Sequence, residues 1–424
     1  MKALLGLAAR SAWARRGTLA LVVFSIALAT LLLLALERMR ADVRESFAQS
    51  VSGTDLIVGA RTGSVQLMLY AVFHVGGATN NIRTASVDAI AKHRAVEWVV
   101  PISLGDSHRG FAVLGTTPDY FKRLQYADHQ PLRIAQGRAF SGDLDGLYDA
   151  VIGAEVADAL GYRVGQRIVM SHGAGGLPGA EHADKPFSVV GVLARTGTPV
   201  DRTVHVSLAA IEAIHLDWAG GAPMPGVVIA PEQARKFDLA PKNVTAALVG
   251  LKGRVAVFAV QRFVANYADE PLMAVLPGVA LDELWQVVGV GEKALLGMSA
   301  LVAIVSLAGL VAVVLAGLNE RRRELAVLRA VGAGPRHVLW LLAGEGVLIT
   351  TLGVAIGIVA SVLLIALAGP WVQTRFGIAL QLAPPSGAEW GLLGAVLAAG
   401  VLASLVPGLR AYRLSLADGL SPKV

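Results

Sequence analysis

The sequence predicts an α-helical membrane protein with four transmembrane helices, one before and three after a mixed α/β extracytoplasmic domain. Hydrophobic residues make up 54% of the chain and charged residues only 16%, whereas about a quarter of the residues of a soluble domain are charged. The low fraction of charged residues results from a few long apolar segments that contain almost none. The stretch between the first two segments has the mixed composition of a soluble domain, and a globular domain is therefore expected there.

Four apolar segments are each long enough to cross a hydrocarbon core of about 30 Å as a helix, the element that satisfies its own backbone hydrogen bonds in lipid. The first is followed by Glu37-Arg38-Met39-Arg40 rather than by the small residues of a signal-peptide cleavage site, which predicts a retained anchor. Small residues in the first two spans favour close packing and predict dimerisation through them. The predicted spans are residues 17–36, 294–318, 338–367 and 390–409.

Lysine and arginine in the short flanks predict the orientation, because cytoplasmic loops carry an excess of these residues. They precede the first span, lie between the second and third, and follow the fourth, whereas the loop between the third and fourth has Arg375 alone. Both termini are therefore expected in the cytoplasm. The other predicted segments are an amphipathic entry helix at 1–16, an outer domain with its stalk at 37–291, a cytoplasmic segment at 319–336, an outer loop at 368–389 and a cytoplasmic tail at 410–424.

The outer domain is expected to combine strands and helices around its own core. The chain has no cysteine, so this domain is expected to fold without disulfides. The net charge of +6 is explained by basic residues at the cytoplasmic ends of the spans, and nucleic acid is not an expected partner. Apolar β-branched segments bounded by turn residues predict strands at 55–59, 96–102, 150–153, 167–171, 187–193 and 226–230, and helices are predicted at 154–160, 207–214 and 255–267.

The most specific motif lies in the cytoplasmic segment. Residues 320–331 are rich in Arg, Glu, Leu and Ala and are predicted to be helical, with Leu325, Leu328 and Val331 on one face. Gly332 is expected to end this helix, after which the chain turns back to the membrane. A basic loop would explain the arginines, but an ordered apolar face needs a partner, either lipid headgroups or a protein.

This segment, NERRRELAVLRAVGAGPR at 319–336, resembles the coupling segment of the MacB/FtsX-like ABC permeases, also called the type VII superfamily. ARSAWARR at 9–16 resembles the amphipathic entry helix of that family. VPGLRAYRLS at 406–415 resembles its C-terminal pattern, with Gly408 in place of the usual alanine. The outer-domain segments at 115–121 and 150–166 resemble elements of the family more loosely, so that the resemblance covers nearly the whole chain.

The resemblance implies a permease that works as a homodimer, or paired with a related permease, with two copies of a separate or fused ABC ATP-binding subunit. ATP and Mg would be bound by that ATPase, and this chain would hold no cofactor. The implied location is the bacterial inner membrane, in contact with lipid, with the large domain in the periplasm and a periplasmic or outer-membrane adaptor as a further candidate partner. The residues expected to contact the ATPase are Glu320, Arg321, Glu324, Leu325, Leu328, Arg329, Val331 and Gly332.

The residues themselves also predict that catalysis lies elsewhere. The sequence has no Gly-x-x-x-x-Gly-Lys-Ser/Thr phosphate loop, and Gly-Val-Gly-Glu-Lys at 289–293, which comes nearest, lacks the Lys-Ser/Thr pair. The chain is therefore not expected to be an enzyme. The resemblance implies that motion of the outer domain would either drive extrusion or release of a periplasmic or membrane substrate, such as a lipoprotein, peptide or hydrophobic small molecule, or activate or sense a periplasmic partner without transport.

Three further residues are candidates for polar sites. Glu345 interrupts the third span, where a charge is costly. It is interpreted either as a polar latch between the cytoplasmic segment and the span, or as a group that is solvated at the membrane interface or makes a routine inter-helix hydrogen bond. His172 and His182 flank a glycine-rich segment, with Asp184 nearby, but without tight histidine spacing they are weak candidates for zinc ligands, and no metal site is expected. The triplet at 106–108, Asp-Ser-His, is not expected to form a catalytic triad.

Overall fold

The computed structural model describes residues 15–413 apart from residues 79, 174–180, 220–221, 321–331, 377–379 and 381. The described chain forms two compact units. The outer unit comprises Val43–Val288 and Val372–Ala379, and the membrane unit comprises the remaining described residues. The predicted entry helix and cytoplasmic tail lie largely outside the described residues.

Helices make up the membrane unit and accompany the strands of the outer unit. Four of them, α1, α9, α10 and α11, are long and apolar enough to cross a membrane, one before and three after the strands. The predicted fold class, with four spans around a mixed α/β domain, is thus confirmed. In chain order the helices are α1 Arg16–Ser50, α2 Ser64–Phe73, α3 Thr84–Ala91, α4 Asp119–Arg123, α5 Ala154–Leu160, α6 Leu208–His215, α7 Pro231–Ala234, α8 Val257–Ala265, α9 Pro277–Glu320, α10 Pro335–Phe376 and α11 Gly387–Arg413.

The spanning helices extend beyond the apolar spans inside them. Helix α1 has 35 residues and α10 has 42. The residues that follow the apolar stretch of α1 (ERMRADVRESFAQS) include many good helix formers, so hydropathy marks the lipid-embedded part of the helix but not its end. Helix α10 ends at Phe376 and α11 begins at Gly387, so helical residues cover both ends of the segment predicted as the outer loop at 368–389.

Glycines let α10 approach α1 closely within the membrane unit. A Cβ on Gly353 would lie 2.7 Å from a side-chain carbon of α1, and one on Gly357 would lie 2.8 Å from the carbonyl oxygen of Ala27. The two glycines are four residues apart and share one face of the helix, the spacing of a small-xxx-small packing motif. On α9, the hydroxyl of Ser306 donates a hydrogen bond to the carbonyl oxygen of Ser25 (3.2 Å), so this small residue of the second span packs within the chain.

The strands of the outer unit form one large mixed sheet and three two-stranded sheets. The large sheet has the order β17-β1-β16-β3-β4-β12-β8-β11-β7, with β10 paired to β3 and β9 paired to β11. Every residue of β16 (AALVGL) is buried, as expected for a central strand covered on both faces. In chain order the strands are β1 Leu56–Ala60, β2 Ile82–Arg83, β3 Val96–His108, β4 Phe111–Thr116, β5 Gln125–Tyr126, β6 Gln130–Pro131, β7 Ile134–Gly137, β8 Asp149–Ile152, β9 Arg167–Ile168, β10 Ser171–His172, β11 Phe187–Leu193, β12 Thr203–Ser207, β13 Trp218–Ala219, β14 Ala222–Pro223, β15 Asn243–Val244, β16 Ala246–Leu251 and β17 Leu272–Val275.

Five of the six predicted strands have a counterpart in the structure. The strand predicted at 187–193 is β11, and the one at 96–102 continues to His108 as the long strand β3. The segment 167–171 is divided between β9 and β10, which pair with different strands, β11 and β3. Among the nine strands that give the order of the large sheet, β4, β7, β12, β16 and β17 were not predicted.

The strand predicted at 226–230 is wrong. Within a turn, the backbone N–H of Val227 donates to the carbonyl oxygen of Met224 (3.2 Å), and the N–H of Ile229 donates to the Asp217 carboxylate (3.2 Å). These two backbone donors are satisfied without a neighbouring strand, and the β-branched residues therefore do not join a sheet.

The predicted helices of the outer unit are present with small shifts. Helix α5 covers the predicted residues and ends at Gly161, whose φ of 68° is the left-handed conformation of a glycine C-cap. Helix α6 begins one residue late because the hydroxyl of Ser207 accepts a hydrogen bond from the N–H of Ala210 (3.1 Å) and caps the helix. The helix predicted at 255–267 consists of a short 3-10 turn followed by α8.

The last turns of α1 and the first turns of α9 belong to the core of the outer unit. The ring of Phe47 stacks on Phe73 at 4.2 Å and meets Trp285 edge-on at 5.5 Å. Ala280 and Leu281 of α9 are buried in the same cluster. The two chain segments that connect the outer unit to the spans are therefore fixed in it by apolar packing.

Candidate functional site

Most of the predicted ATPase-contacting residues lie outside the described residues: Arg321, Glu324, Leu325, Leu328, Arg329 and Val331. Glu320 is the last residue of α9. Gly332 has a φ of 103° in a turn, a left-handed conformation that favours glycine. Helix α10 begins at Pro335, which agrees with the turn predicted after the helix at 320–331.

Glu345 forms an ion pair at one end of the membrane unit. Its Oε1 lies 3.3 Å from Nη2 of Arg15, and the two side chains are only 15% and 16% exposed. The guanidinium of Arg15 also lies against α9, because a Cβ on Gly317 would overlap with its Nη1. One partner of Glu345 is thus the residue preceding α1. The contact joins α10 to the beginning of α1 beside the last turn of α9.

A second ion pair involves Arg38, just after the apolar segment of α1. Arg38 contacts both carboxylate oxygens of Glu389 on α11, at 3.2 Å from Nε and 3.4 Å from Nη2. Glu389 also accepts a hydrogen bond from the N–H of Ser386, whose hydroxyl accepts one from the N–H of Glu389. The Ser-x-x-Glu spacing of this capping box is a sequence signal that would have singled out Glu389. Arg40 pairs with Glu292 of α9 (3.2 Å), so ion pairs join α1, just after its apolar segment, both to the first turn of α11 and to the interior of α9.

The two weak metal candidates, His172 and His182, lie together in the outer unit. The structure adds Asp106 and His215 to them, and one ligand atom from each of the four lies within 4.8 Å of every other. The sequence prediction missed these two residues because they lie far from His172 along the chain. Asp184, which the sequence placed near the histidines, instead accepts a hydrogen bond from Lys185 (2.5 Å).

Burial and charge act differently on two of these histidines. Burial, with the nearby His215 as a smaller cause, lowers the pKa of His182 to about 4. Burial also acts to lower the pKa of His215, but the hydrogen bond and negative charge of Asp106 outweigh it, and the pKa is raised. His182 is therefore held as neutral imidazole, the form that binds metals.

The triplet at 106–108 does not form a catalytic triad. Nδ1 of His108 lies 2.6 Å from the carbonyl oxygen of Val169, and Nε2 lies 3.0 Å from the hydroxyl of Tyr162. Both ring nitrogens thus have partners other than Ser107, whose hydroxyl makes no hydrogen bond among the described residues. The histidine is a satisfied core residue.

Two family models match the chain and together account for most of it. The MacB-like periplasmic core domain matches residues 17–260, which include α1 and nearly all of the outer sheet. The FtsX-like permease C-terminal model matches residues 296–416, which include the three later spans and the cytoplasmic segment.

Solved structures similar to the chain include two outer domains. One is the periplasmic region of MacB from Actinobacillus actinomycetemcomitans, with 11% identity and a TM-score of 0.34, covering 57% of this chain and 97% of that one. The other is the extracellular domain of the noncanonic ABC-type transporter YknZ from Gram-positive bacteria, with 12% identity and a TM-score of 0.32, covering 52% of this chain and 99% of that one. No curated protein matches the chain. Since the MacB-like model alone matches more than half of the chain and the FtsX-like model matches the three later spans, the protein belongs to the MacB/FtsX-like family of ABC transporter permeases.

Proposed function

We propose that this chain couples ATP hydrolysis by a partner ATPase to a conformational change of its outer domain. The coupled motion, called mechanotransmission, drives extrusion or release of a periplasmic or membrane substrate such as a lipoprotein, a peptide or a hydrophobic small molecule. The observation that carries the proposal is helix α9, which begins within the outer unit and ends at Glu320, immediately before the predicted docking segment.

Helix α9 is a continuous α-helix of 44 residues, a length of about 66 Å at about 1.5 Å per residue. Because its backbone hydrogen bonds form one series, a displacement of its cytoplasmic end moves the rest of the helix with it. Its first turns are packed into the outer unit through Ala280, Leu281 and Trp285. This packing supports transmission of the displacement to the outer domain rather than its loss in a flexible linker.

The second connection, α1, has the same properties. It is a continuous helix of 35 residues, and Phe47 near its end packs against Phe73 and Trp285. At its beginning, the pair between Arg15 and Glu345 ties it to α10 next to Gly317 of α9. A docked ATPase that moves the segment after α9 would therefore move α1 and α10 as well.

The proposal includes the orientation and the assembly of the chain. Both termini are in the cytoplasm, the outer domain is in the periplasm, and the permease is dimeric. The distribution of arginine and lysine supports the orientation. A cavity of the outer unit, lined by His74, Leu114 and Tyr120 among others, has a volume of about 20 Å³, room for about one water molecule. The proposed substrate would thus be contacted at an outer surface rather than in this cavity.

The test is affinity purification of the full chain from its native membrane in a mild detergent, followed by identification and quantification of the proteins that co-purify. Leu328→Asp places a charge on the predicted docking face and is expected to abolish recovery of an ABC ATPase. Ala326→Asp is the matched control, since it places the same charge on the opposite side of the predicted helix. Both variants leave the spans unchanged, and insertion in the membrane is checked by the yield of folded permease.

Recovery of an ABC ATPase with the wild-type chain and with Ala326→Asp, but not with Leu328→Asp, is the expected result. Equal recovery with both variants would show that the apolar face is not the docking surface. If the wild-type chain binds the ATPase but ATP hydrolysis does not change the accessibility of labels placed on the outer domain, the proposed mechanical coupling is wrong.

A further inference from the structure

We propose that Asp106, His172, His182 and His215 of the outer unit form a binding site for a divalent transition-metal ion, and that zinc is the ion which these donors fit. Imidazole nitrogens and carboxylate oxygens are donors that zinc takes in proteins. One ligand atom from each of the four side chains lies within 4.8 Å of every other. The site needs no ATPase and is therefore independent of the coupling mechanism proposed above.

Three of the four donor atoms already have the mutual distances of a metal site. Nδ1 of His172 lies 3.2 Å from Oδ1 of Asp106 and 3.1 Å from Nε2 of His215. The same nitrogen of His215 lies 3.4 Å from that Asp106 oxygen. In a tetrahedral site with zinc–donor distances of about 2.0–2.1 Å, neighbouring donors are separated by about 3.3 Å. The three donor atoms therefore have the spacing of one face of such a tetrahedron.

His182 supplies the fourth donor and the strongest reason to expect an ion. Its side chain is completely buried, and neither of its ring nitrogens makes a hydrogen bond within the described part of the chain. A buried polar group without a partner is rare in native proteins and calls for an explanation. One of its ring nitrogens lies within 4.8 Å of the other three ligand atoms, so a bound ion would give this nitrogen a partner.

The fold brings the donors together from segments that are distant in sequence. Asp106 and His172 are paired across the antiparallel strands β3 and β10. Strand β3 has a register shift between Leu104 and Asp106 in its pairing with β4, and a bulge of this kind re-aims the side chain that follows it. His182 is held beside β10 because its N–H donates to the carbonyl oxygen of Met170 (2.9 Å).

A buried ion pair fixes the segments that carry His182 and His215 relative to each other. The ammonium group of Lys185, which is completely buried, contacts both carboxylate oxygens of Asp217 at 2.7 and 3.0 Å. Lys185 follows His182 by three residues, and Asp217 follows His215 by two. The two histidines are thus held in place by side chains that are not themselves donors.

The hydrogen bond that His215 makes through Nδ1 leaves its other ring nitrogen, Nε2, available to bind a metal. Its Nδ1 lies 2.8 Å from the carbonyl oxygen of Ile211, and a proton on Nδ1 makes Nε2, the nitrogen that faces Asp106, the free donor. Metal-binding histidines commonly have such a partner for the second ring nitrogen, which fixes the tautomer and the orientation of the ring. The ring of Trp218 lies 4.3 Å from that of His182 and packs against the cluster.

Four protein donors fill a tetrahedral shell, as in structural zinc sites, whereas catalytic sites keep one position open for water or substrate. The proposed site joins strand β3, strand β10 with the neighbouring His182, and the end of α6. We expect the bound ion to hold these segments together and thereby to stabilise the outer unit. A hydrolytic role is not proposed.

The test uses the full-length chain in detergent, purified without a polyhistidine tag and stripped of metal with a chelator. Zn²⁺ alone is titrated in competition with a chromogenic chelator, and metal content is measured by mass spectrometry. We expect one zinc ion per chain. His182→Ala and His172→Ala are each expected to lower the affinity by at least the 10–100-fold that loss of an outer partner costs. The control is His129→Asn at an exposed histidine outside the cluster, where asparagine tolerates the φ of 56°.

Two further measurements separate this site from surface binding. Co²⁺ in the site is expected to give the intense visible absorption of tetrahedral cobalt, and Zn²⁺ is expected to raise the Tm of the wild-type chain but not of His172→Ala. If His182→Ala does not fold, His172→Ala, at a 36% exposed side chain, decides the result. Unchanged zinc affinity in His172→Ala, or a weak octahedral cobalt spectrum, would overturn the proposal, since scattered surface histidines would then explain the binding.

Discussion

Arg38 and Glu389 form a two-point ion pair that joins α1 to the first turn of α11. Nε and Nη2 of the arginine lie 3.2 and 3.4 Å from the two carboxylate oxygens, and the side chains are 12% and 7% exposed. Arg38 also donates to the carbonyl oxygen of Ala383 (2.6 Å). The same carboxylate accepts the N–H of Ser386, so one side chain both caps a helix and holds a neighbouring helix.

Loss of the Glu389 charge should destabilise the membrane unit. Glu389→Gln keeps the capping box, because glutamine is also accepted at that position, but leaves the nearly buried Arg38 without a counter-ion. Breaking one partner of a buried pair costs about 3 kcal/mol. The measurement is the Tm of purified protein in detergent, followed by intrinsic fluorescence. Glu232→Gln, at an exposed carboxylate of the outer unit, should leave the Tm unchanged, and an equal Tm for Glu389→Gln would contradict the structural role of the pair.

The pair between Arg15 and Glu345 should affect coupling more than docking. Glu345→Gln is expected to leave the amount of co-purified ATPase unchanged and to reduce the stimulation of ATP hydrolysis by the permease about fivefold or more. The reason is that the pair ties α1 and α10 together beside the last turn of α9. The charge swap Arg15→Glu/Glu345→Arg should restore part of the stimulation. If the charge-swapped protein showed no more stimulation of ATP hydrolysis than Glu345→Gln, the ion pair would not be the contact that couples the helices.

Gly317 gives an independent test of the same contact. Gly317→Ala places a methyl group where it overlaps with Nη1 of Arg15 and should displace the guanidinium, with a loss of stimulation in the same direction. Gly309→Ala on the same helix is the control, since a Cβ at that position would have no atom of the described residues within 4 Å. Equal stimulation in the two variants would show that the position of Arg15 does not matter for coupling.

The close approach of α1 and α10 should make Gly357 intolerant of a side chain. The methyl group of Gly357→Ala would lie 2.6 Å from Cβ of Thr30 and 2.8 Å from the carbonyl oxygen of Ala27, and overpacking of this kind costs about 1–3 kcal/mol. Gly394→Ala on α11 meets no atom within 4 Å in the described part of the chain and gains up to about 1 kcal/mol in helix propensity. Thermal unfolding in detergent should therefore show a lower Tm for the first variant only, and a Tm for Gly357→Ala at or above the wild-type value would argue against the contact.

The spans and the domain order were predictable because both depend on local composition. A run such as residues 17–36 has few alternatives to a membrane helix, and the basic segment at 319–336 carries a dense motif. The ends of the helices were not predictable in this way, because polar residues such as those of 37–50 continue α1 without changing its hydropathy signal. The ion pairs that join the helices depend on which helices are neighbours, and hydropathy does not contain that information.

The histidine cluster illustrates why a site assembled by a sheet is difficult to find in one sequence. His172 and His182 could be named because a short connection separates them. Asp106 becomes a neighbour of His172 only through the pairing of β3 with β10, a pairing that depends on the division of the predicted strand at 167–171 into two. His215 joins them because α6 ends beside the same strands, and strand β12, which precedes that helix, was itself not predicted.

The stability of the outer unit should fall as the pH is lowered below about 6.5, in part because of His205. This ring is completely buried, its Nδ1 lies 3.2 Å from the carbonyl oxygen of Val151, and it packs against Tyr120 and Phe121 at 5.2 and 5.6 Å. Burial, opposed by the Val151 hydrogen bond and reinforced by His74, lowers the pKa of His205 to about 3. Above the unfolded pKa of about 6.5 both states are neutral and the full stability is present.

Between pH 6.5 and the folded pKa, the unfolded chain binds a proton at this histidine that the folded chain does not. Each pH unit in that window therefore removes about 1.4 kcal/mol of stability through His205. His205→Phe should have a lower Tm at pH 7.5, because the hydrogen bond to Val151 is lost, but a shallower fall in Tm from pH 6.5 to 4.5 than the wild type. His129→Asn, at an exposed histidine, should keep the wild-type slope. Parallel curves for the wild type and His205→Phe would mean that His205 is protonated in the folded state and that its burial does not hold it neutral.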